Sequence, residues 1–202
     1  MLKAFFHHDH LLEAGCDEAG RGCFAGPVFA AAVILPRDFH HPLLNDSKQV
    51  DPEIRMQLRA YIETHATDYA VEQVSNEEID EINILKASFK AMHLAIKKLR
   101  KQPQLLLIDG HMFYKYKKIP HHCVVKGDGI YSSIAAASIL AKTYRDDFMR
   151  RLHYEYPHYG WFNNKGYGTP EHRNGIAIHG LCPYHRKSFN IVSSQMEIFA
   201  DE

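Results

Sequence analysis

Cysteine and tryptophan are scarce in this chain of 202 residues, with four of the first and one of the second. Cys16, Cys23, Cys123 and Cys182 form no CxxC pair, which excludes a disulfide or zinc framework and leaves reduced thiols, as in a cytosolic protein. No secretory hydrophobic segment opens the sequence. Long apolar runs are missing too. The longest, Phe24 to Leu35, is too short to span a bilayer and is broken by Gly26 and Pro27, so no membrane is expected. Net charge is also lacking: Lys+Arg and Asp+Glu both number 24, which gives no global bias towards nucleic acid. A local basic patch would still suffice for phosphate contact. No repeat, low-complexity linker or charge block divides the chain, and a hydrophobic fraction of 46% supports one packed core.

Histidine is plentiful, at 15 residues. The runs His7-His8-Asp9-His10, His40-His41 and His121-His122 lack Cys or His partners at ligand spacing and read as exposed polar tracts.

The pattern along the chain is α/β. A strand ends near Asp17, and a second, Pro27 to Leu35, is apolar throughout, as a central buried strand should be. Asp51-Pro52 reads as an N-cap and first-turn pair opening a helix to about His65. Tyr69 to Val74 alternates as a third strand. Ile84 to Arg100 is an amphipathic helix with cations near its end. Leu105 to Ile108 and Cys123 to Val125 are short buried strands, and Ile130 to His153 is a long Ala-rich helix. The tail reads as loop to Tyr184, then a short helix from Ile191 to Phe199. Short-linked early strands favour antiparallel pairing and the later strand–helix alternation favours parallel pairing, so a mixed sheet flanked by helices is expected.

Asp17 and Glu18 stand side by side where the apolar run gives way to Gly15-Cys16-Asp17-Glu18-Ala19-Gly20-Arg21-Gly22. Adjacent carboxylates repel, and a divalent cation supplies the missing charge. Neighbours on a regular strand point to opposite faces, so they converge on one ion only if the chain turns there; Gly20 and Gly22 permit a turn. The plainer alternative is a surface strand end with a glycine turn. Asp109 and Asp128 each follow an apolar strand and precede a glycine, and each is equally readable as a turn residue. Together, acids at several strand ends in one small sheet favour a metal site, and a set of oxygen ligands points to Mg²⁺ or Mn²⁺.

The motifs Asp17 to Gly22 with Ala25-Gly26-Pro27-Val28, Asn45-Asp46-Ser47-Lys48, Leu107 to Gly110, Lys126-Gly127-Asp128, Ser133 to Lys142, Lys165 to Thr169 and His185 to Phe189 resemble, in order, those of the ribonuclease HII family. The likeness spans about residues 12 to 192. It implies a ribonuclease H-like fold, a five-stranded mixed sheet flanked by helices with a helical C-terminal extension. The whole of 1–202 would be one catalytic domain, with a core of about 12–155 and a substrate-binding part of about 156–202. It also implies that Asp17, Glu18, Asp109 and Asp128 hold two divalent ions and carry catalysis. The expected substrates are RNA–DNA hybrids and duplex DNA with embedded ribonucleotides, cut on the 5′ side of the ribonucleotide to leave 3′-hydroxyl and 5′-phosphate ends.

In that mechanism one ion generates hydroxide and the other stabilises the leaving oxygen, with the pair roughly 4 Å apart. Asp17 is the expected shared ligand. Gly20, Arg21 and Gly22 would bring backbone to the 2′-hydroxyl, and Tyr167 would lie against the sugar on the 3′ side. Ser47, Lys48, Lys142, Lys165 and Arg186, with Arg145 and Lys187, are candidate phosphate contacts. Arg145-Asp146 also reads as a helix-surface ion pair of little worth. Two departures from the family pattern are Cys23-Phe24 in place of Pro-Leu, and Asn164 where His is frequent.

The four acids argue against a non-catalytic binding module, and the short lead before Asp17 together with Asp128 argues against ribonuclease HIII. The two glycine-rich loops argue against a junction resolvase or integrase of the same superfold. A cytoplasmic monomer is expected. Met196 to Glu202 carry no clamp-binding pattern.

Overall fold

The computed structural model describes residues 2–7, 11–45, 47 and 50–191. Five strands form one sheet: β1 (Glu13–Ala19), β2 (Val28–Ile34), β3 (Asp68–Val74), β4 (Leu105–Asp109) and β5 (His121–Val124), in the order β3-β2-β1-β4-β5. β2 pairs antiparallel with β1 and β3, while β4 pairs parallel with β1 and β5. This is the mixed sheet expected from the connections.

The apolar run of β2 is explained by cover on both faces. Val28, Ala30, Ala32 and Ile34 pack with Phe89, Met92 and Ile96 of α3 (Ile84–Lys98). Ala31 and Val33 pack with Leu58 and Ile62 of α1 (Pro52–His65) and with the alanines of α4 (Ser132–Glu155). α1 starts where the Asp51-Pro52 pair indicates, with the Asp51 carboxylate accepting a hydrogen bond from Glu53 N at 2.8 Å.

Three features differ from the sequence reading. β1 does not end at Asp17 but continues to Ala19, in register with β2. A further helix, α2 (Asn76–Ile82), precedes α3. Asn83, at φ 69°, closes α2, and its side chain accepts from Lys86 N to cap α3. The tail is not loop to Tyr184: it contains α5 (Trp161–Asn164) and α6 (Pro170–His179). α6 has an ordinary start, with Thr169 Oγ1 accepting from His172 N and Pro170 in the first turn. It has few apolar residues, so periodicity gave no sign of it. The helix expected from Ile191 to Phe199 lies outside the described residues except for Ile191. Among the described residues no helix is long and apolar enough to cross a membrane.

Candidate active site

Alternation along β1 sends Ala14 and Cys16 towards α3, so Asp17 faces α4, and Glu18 follows it near the strand end, close enough for its charge to act on Asp17. On the neighbouring strand Leu106 and Ile108 face α3, which leaves Asp109 on the α4 side with Asp17. Cys16 is in register with Ile108, so the two aspartates are adjacent at the carboxyl ends of parallel strands. β1 stays regular through Asp17 and Glu18. The chain turns only at Gly20, where φ is +98°. Asp128 enters from a 3-10 turn, Gly127–Gly129, just before α4, and that turn is fastened to Asp109 by Gly127 N donating to its Oδ1 at 2.8 Å.

Asp17 is buried, at 5% exposure. Burial first, and then the charges of Glu18 and Asp109, hold its carboxyl well above the usual carboxylate range; hydrogen bonds from the Ser138 hydroxyl and Glu18 N pull the other way. Ser138 is backed in turn by Ser47, their hydroxyls 2.8 Å apart. Glu18 also pairs with the Arg21 guanidinium at 3.1 Å.

The donor set is oxygen only, and one member, Asp17, is pushed towards protonation by burial and then by its acidic neighbours. A hard divalent cation suits that set, because it supplies positive charge beyond the Arg21 guanidinium on Glu18. Among the described residues no three His, Cys, Asp or Glu side chains are gathered closely enough to hold an ion as they stand. In kind and charge, though not in spacing, the donors fit Mg²⁺ or Mn²⁺.

Beside the acids, three segments are hydrogen-bonded into one platform. Phe24 N donates to Gly166 O, Arg186 N to Phe24 O and Gly26 N to Tyr184 O, each at 2.8 Å. Two buried arginines sit beneath them. Arg145, 1% exposed, donates from Nε to Pro27 O at 3.0 Å, from Nη1 to Lys165 O at 2.8 Å and from Nη2 to Ala25 O at 3.0 Å. Arg186, also fully buried, donates from Nε to Gly26 O and from Nη1 to Arg21 O, both at 2.9 Å. Burial, and then the Arg145 charge, lowers the Arg186 pKa to about 10.

Several expected phosphate contacts are thereby revised. Arg186 cannot offer a surface charge, since its guanidinium is spent on main-chain carbonyls under the loop. The same holds for Arg145, which makes no surface pair with Asp146. Asp146 pairs instead with Lys142 and, at 3.7 Å, with Arg55. Ser47 is buried behind Ser138 and faces Asp17 through it. Lys142 is part-buried, and burial lowers its pKa despite Asp146. Lys165 is half-buried in a left-handed conformation, its Nζ on Phe162 O. Lys187 is exposed, and Lys48 lies outside the described residues.

The exposed parts of the platform are Arg21, Gly22 and Tyr167, the last at 44%. A Cβ on Gly20 would come within 2.0 Å of Arg145 Nε, whereas one on Gly22 would meet nothing within 4 Å. Gly20 is thus required by the protein's own packing, and Gly22 leaves backbone open to solvent. Asn164 accounts for its departure from the family pattern by holding the tyrosine loop itself. Its Nδ2 donates to Tyr159 O at 2.7 Å and its Oδ1 accepts from Gly166 N at 2.9 Å. Phe24 packs so closely on Gly168 that a Cβ there would lie 2.2 Å from its ring.

This sheet order, with acids at the ends of its central parallel pair, defines a ribonuclease H-like α/β nuclease fold. The chain belongs to the ribonuclease HII family, whose model (Ribonuclease HII) matches residues 14–192. Ribonuclease HII of Bacteroides fragilis (strain YCH46) is 61% identical over 194 residues, covering 96% of each chain. The crystal structure of ribonuclease H2 from Pyrococcus horikoshii OT3 superposes with a TM-score of 0.76 at 26% identity, covering 94% of this chain and 99% of that one. A Bst-RNase HIII crystallised with Mn²⁺ shares the fold at a TM-score of 0.73 and 22% identity, covering 90% of this chain but 68% of that one. The chain is accordingly a metal-dependent endoribonuclease that acts on RNA–DNA hybrids.

Proposed function

We propose that this enzyme also incises duplex DNA 5′ of a single embedded ribonucleotide, leaving 3′-hydroxyl and 5′-phosphate ends, and that two Mg²⁺ or Mn²⁺ ions serve the reaction. The observation that carries the reading is the hydrogen-bonded platform beside Asp17, on which the open backbone at Gly22 and the exposed ring of Tyr167 share one rigid base. A 2′-hydroxyl is the feature that distinguishes RNA from DNA at one nucleotide, and backbone without a Cβ can approach it. An aromatic face tolerates deoxyribose on the 3′ side, as a junction requires.

Asp17, Glu18, Asp109 and Asp128 would hold the ions, whose positive charge would draw the carboxylates together, with the scissile phosphate supplying further oxygen ligands. Such ions, when bound, supply the charge that activates water and stabilises the leaving oxygen. Asp17 orients through Ser138 and Ser47. Asp109 keeps the turn carrying Asp128 in place. Lys142, Lys165, Lys48 and Lys187 contribute positive charge near the phosphates, and Arg145 and Arg186 hold the contact loops. Free, mostly buried cysteines suit work in the cytoplasm. The chain would act as a monomer and a single catalytic unit, its core about 12–155.

The test is duplex DNA carrying one ribonucleotide, incubated with Mg²⁺, Mn²⁺ or chelator, with the cut mapped. Incision 5′ of the ribonucleotide only with metal is expected. Cutting of long hybrids alone would refute the proposal, and Tyr167→Ala should reduce single-ribonucleotide incision most.

A further inference from the structure

Beneath Tyr167 lies a buried polar chain that the reaction does not use. Trp161 Nε1 is 3.0 Å from His172 Nε2, and that same nitrogen is 3.1 Å from His185 Nε2. His172 Nδ1 is 2.9 Å from the Tyr167 carbonyl oxygen, and Cys182 N is 2.9 Å from His185 Nδ1. Both imidazoles and the indole are fully buried.

Donor chemistry leaves one proton arrangement. An indole N–H only donates, so His172 Nε2 is a bare acceptor and its ring proton sits on Nδ1, donating to the Tyr167 carbonyl. A backbone N–H only donates, so His185 Nδ1 is bare and its proton sits on Nε2, aimed at the same His172 lone pair. Both rings are therefore neutral. Burial, the largest cause in each case, lowers both pKa values, that of His185 to about 4.

The Tyr167 carbonyl thus accepts from a side chain whose tautomer is dictated by two other buried groups. Its second donor, Thr169 N at 2.8 Å, belongs to the same turn. His172 is the tie from the Tyr167 peptide to Trp161 and His185, which are anchored in α5 and in the 182–186 segment. That segment also carries Arg186, which holds the Arg21 carbonyl.

We propose that His172, set in its Nδ1–H form by Trp161 and His185, is the positioning residue of Tyr167 and governs the preference for single ribonucleotides over long hybrids. The inference rests on the proposed role of Tyr167 at the junction. A long hybrid offers many registers, any one of which suffices. A single ribonucleotide offers one, so an ill-placed ring costs more there.

Two substitutions separate positioning from stability. In His172→Gln the amide falls near Nε2, where it can accept from Trp161 and His185 but no longer reaches the Tyr167 carbonyl. In His172→Asn the amide nitrogen falls near Nδ1, keeping that bond and leaving the other two donors unpaired. The ratio of single-ribonucleotide to hybrid incision should fall about tenfold in His172→Gln and stay within about threefold of the parent in His172→Asn, as loss of one average hydrogen bond implies. Thermal unfolding should show His172→Asn to be the less stable. An unchanged ratio in His172→Gln, or an equal loss in both, overturns the proposal.

If the unaltered enzyme cuts hybrids but no single ribonucleotide, the function proposed above has failed, and the inference about preference falls with it. Histidine ¹⁵N NMR of the unaltered chain at neutral pH decides the positioning device separately and needs no folded variant. His172 must appear as the Nδ1–H tautomer and His185 as the Nε2–H tautomer, and a cationic ring or the opposite tautomer at either overturns it.

Discussion

Arg186 Nη1 lies 2.9 Å from the carbonyl oxygen of Arg21, so a fully buried cation fastens the exposed loop that carries Arg21 and Gly22. Its other terminal nitrogen, Nη2, has no hydrogen-bond partner among the described residues. The planar fork of arginine serves Gly26 and Arg21 at once, and a lysine ammonium cannot. Arg186→Lys should lose about 2–4 kcal/mol of stability, as expected for a buried charge deprived of its hydrogen bonds. Urea unfolding measures this, and a midpoint equal to the parent's would show that the fork does not matter.

The repulsion at Asp17 predicts opposite effects of one substitution on stability and on activity. Burial and the charges of Glu18 and Asp109 raise the Asp17 pKa, so the ionised side chain opposes folding when no cation is present. In chelator, Asp17→Asn should melt higher than the parent by a few degrees, the effect of roughly 1 kcal/mol in a protein of this size. With Mg²⁺ the parent should gain stability and the variant less, while incision disappears in the variant. A variant that melts lower than the parent in chelator would contradict this assignment.

Gly20 and Gly22 should respond differently to alanine. Gly20→Ala forces a Cβ into the Arg145 side chain at a positive φ and should destabilise the fold by about 1–3 kcal/mol. Gly22→Ala meets open space and should melt like the parent, yet lose incision, because on the proposed function the methyl group would stand where the nucleotide approaches. Wild-type activity in Gly22→Ala would remove this residue from the contact surface.

The buried histidines predict a loss of stability in mild acid. Burial, and then His172, shifts His185 from the usual 6.5 to about 4, and His172 shifts the same way. Between those values the unfolded chain binds more protons than the folded one. Their contribution is therefore complete above pH 6.5 and is lost as pH falls towards 4, up to roughly 3 kcal/mol for His185. Urea midpoints between pH 7 and pH 4.5 should fall for the parent and fall less for His185→Gln. Parallel slopes would assign the acid sensitivity to other groups.

Much of the framework was legible in the chain. Asp51-Pro52 marked the start of α1, the run Val28 to Leu35 marked a strand covered on both faces, and the amphipathic pattern from Ile84 marked α3. α6 is not legible in the sequence because Pro170 to His179 has too little apolar periodicity, although Thr169, Pro170 and Gly180 bracket it. The acids at Asp17 and Glu18 suggest a strand end in the sequence, but pairing with β2 keeps β1 regular through Ala19.

Local order in the sequence, through periodicity, caps and the ordered motifs, determined the strands, the longer helices and the family. Tertiary structure alone decided which cations are buried and which polar groups face one another. Arg145 and Arg186 look like surface charges in one dimension, and Ser47, Ser138 and Asp17 are far apart in it. Main-chain carbonyls turned inward at the loops must find donors, and only the folded chain shows which side chains are near enough to provide them.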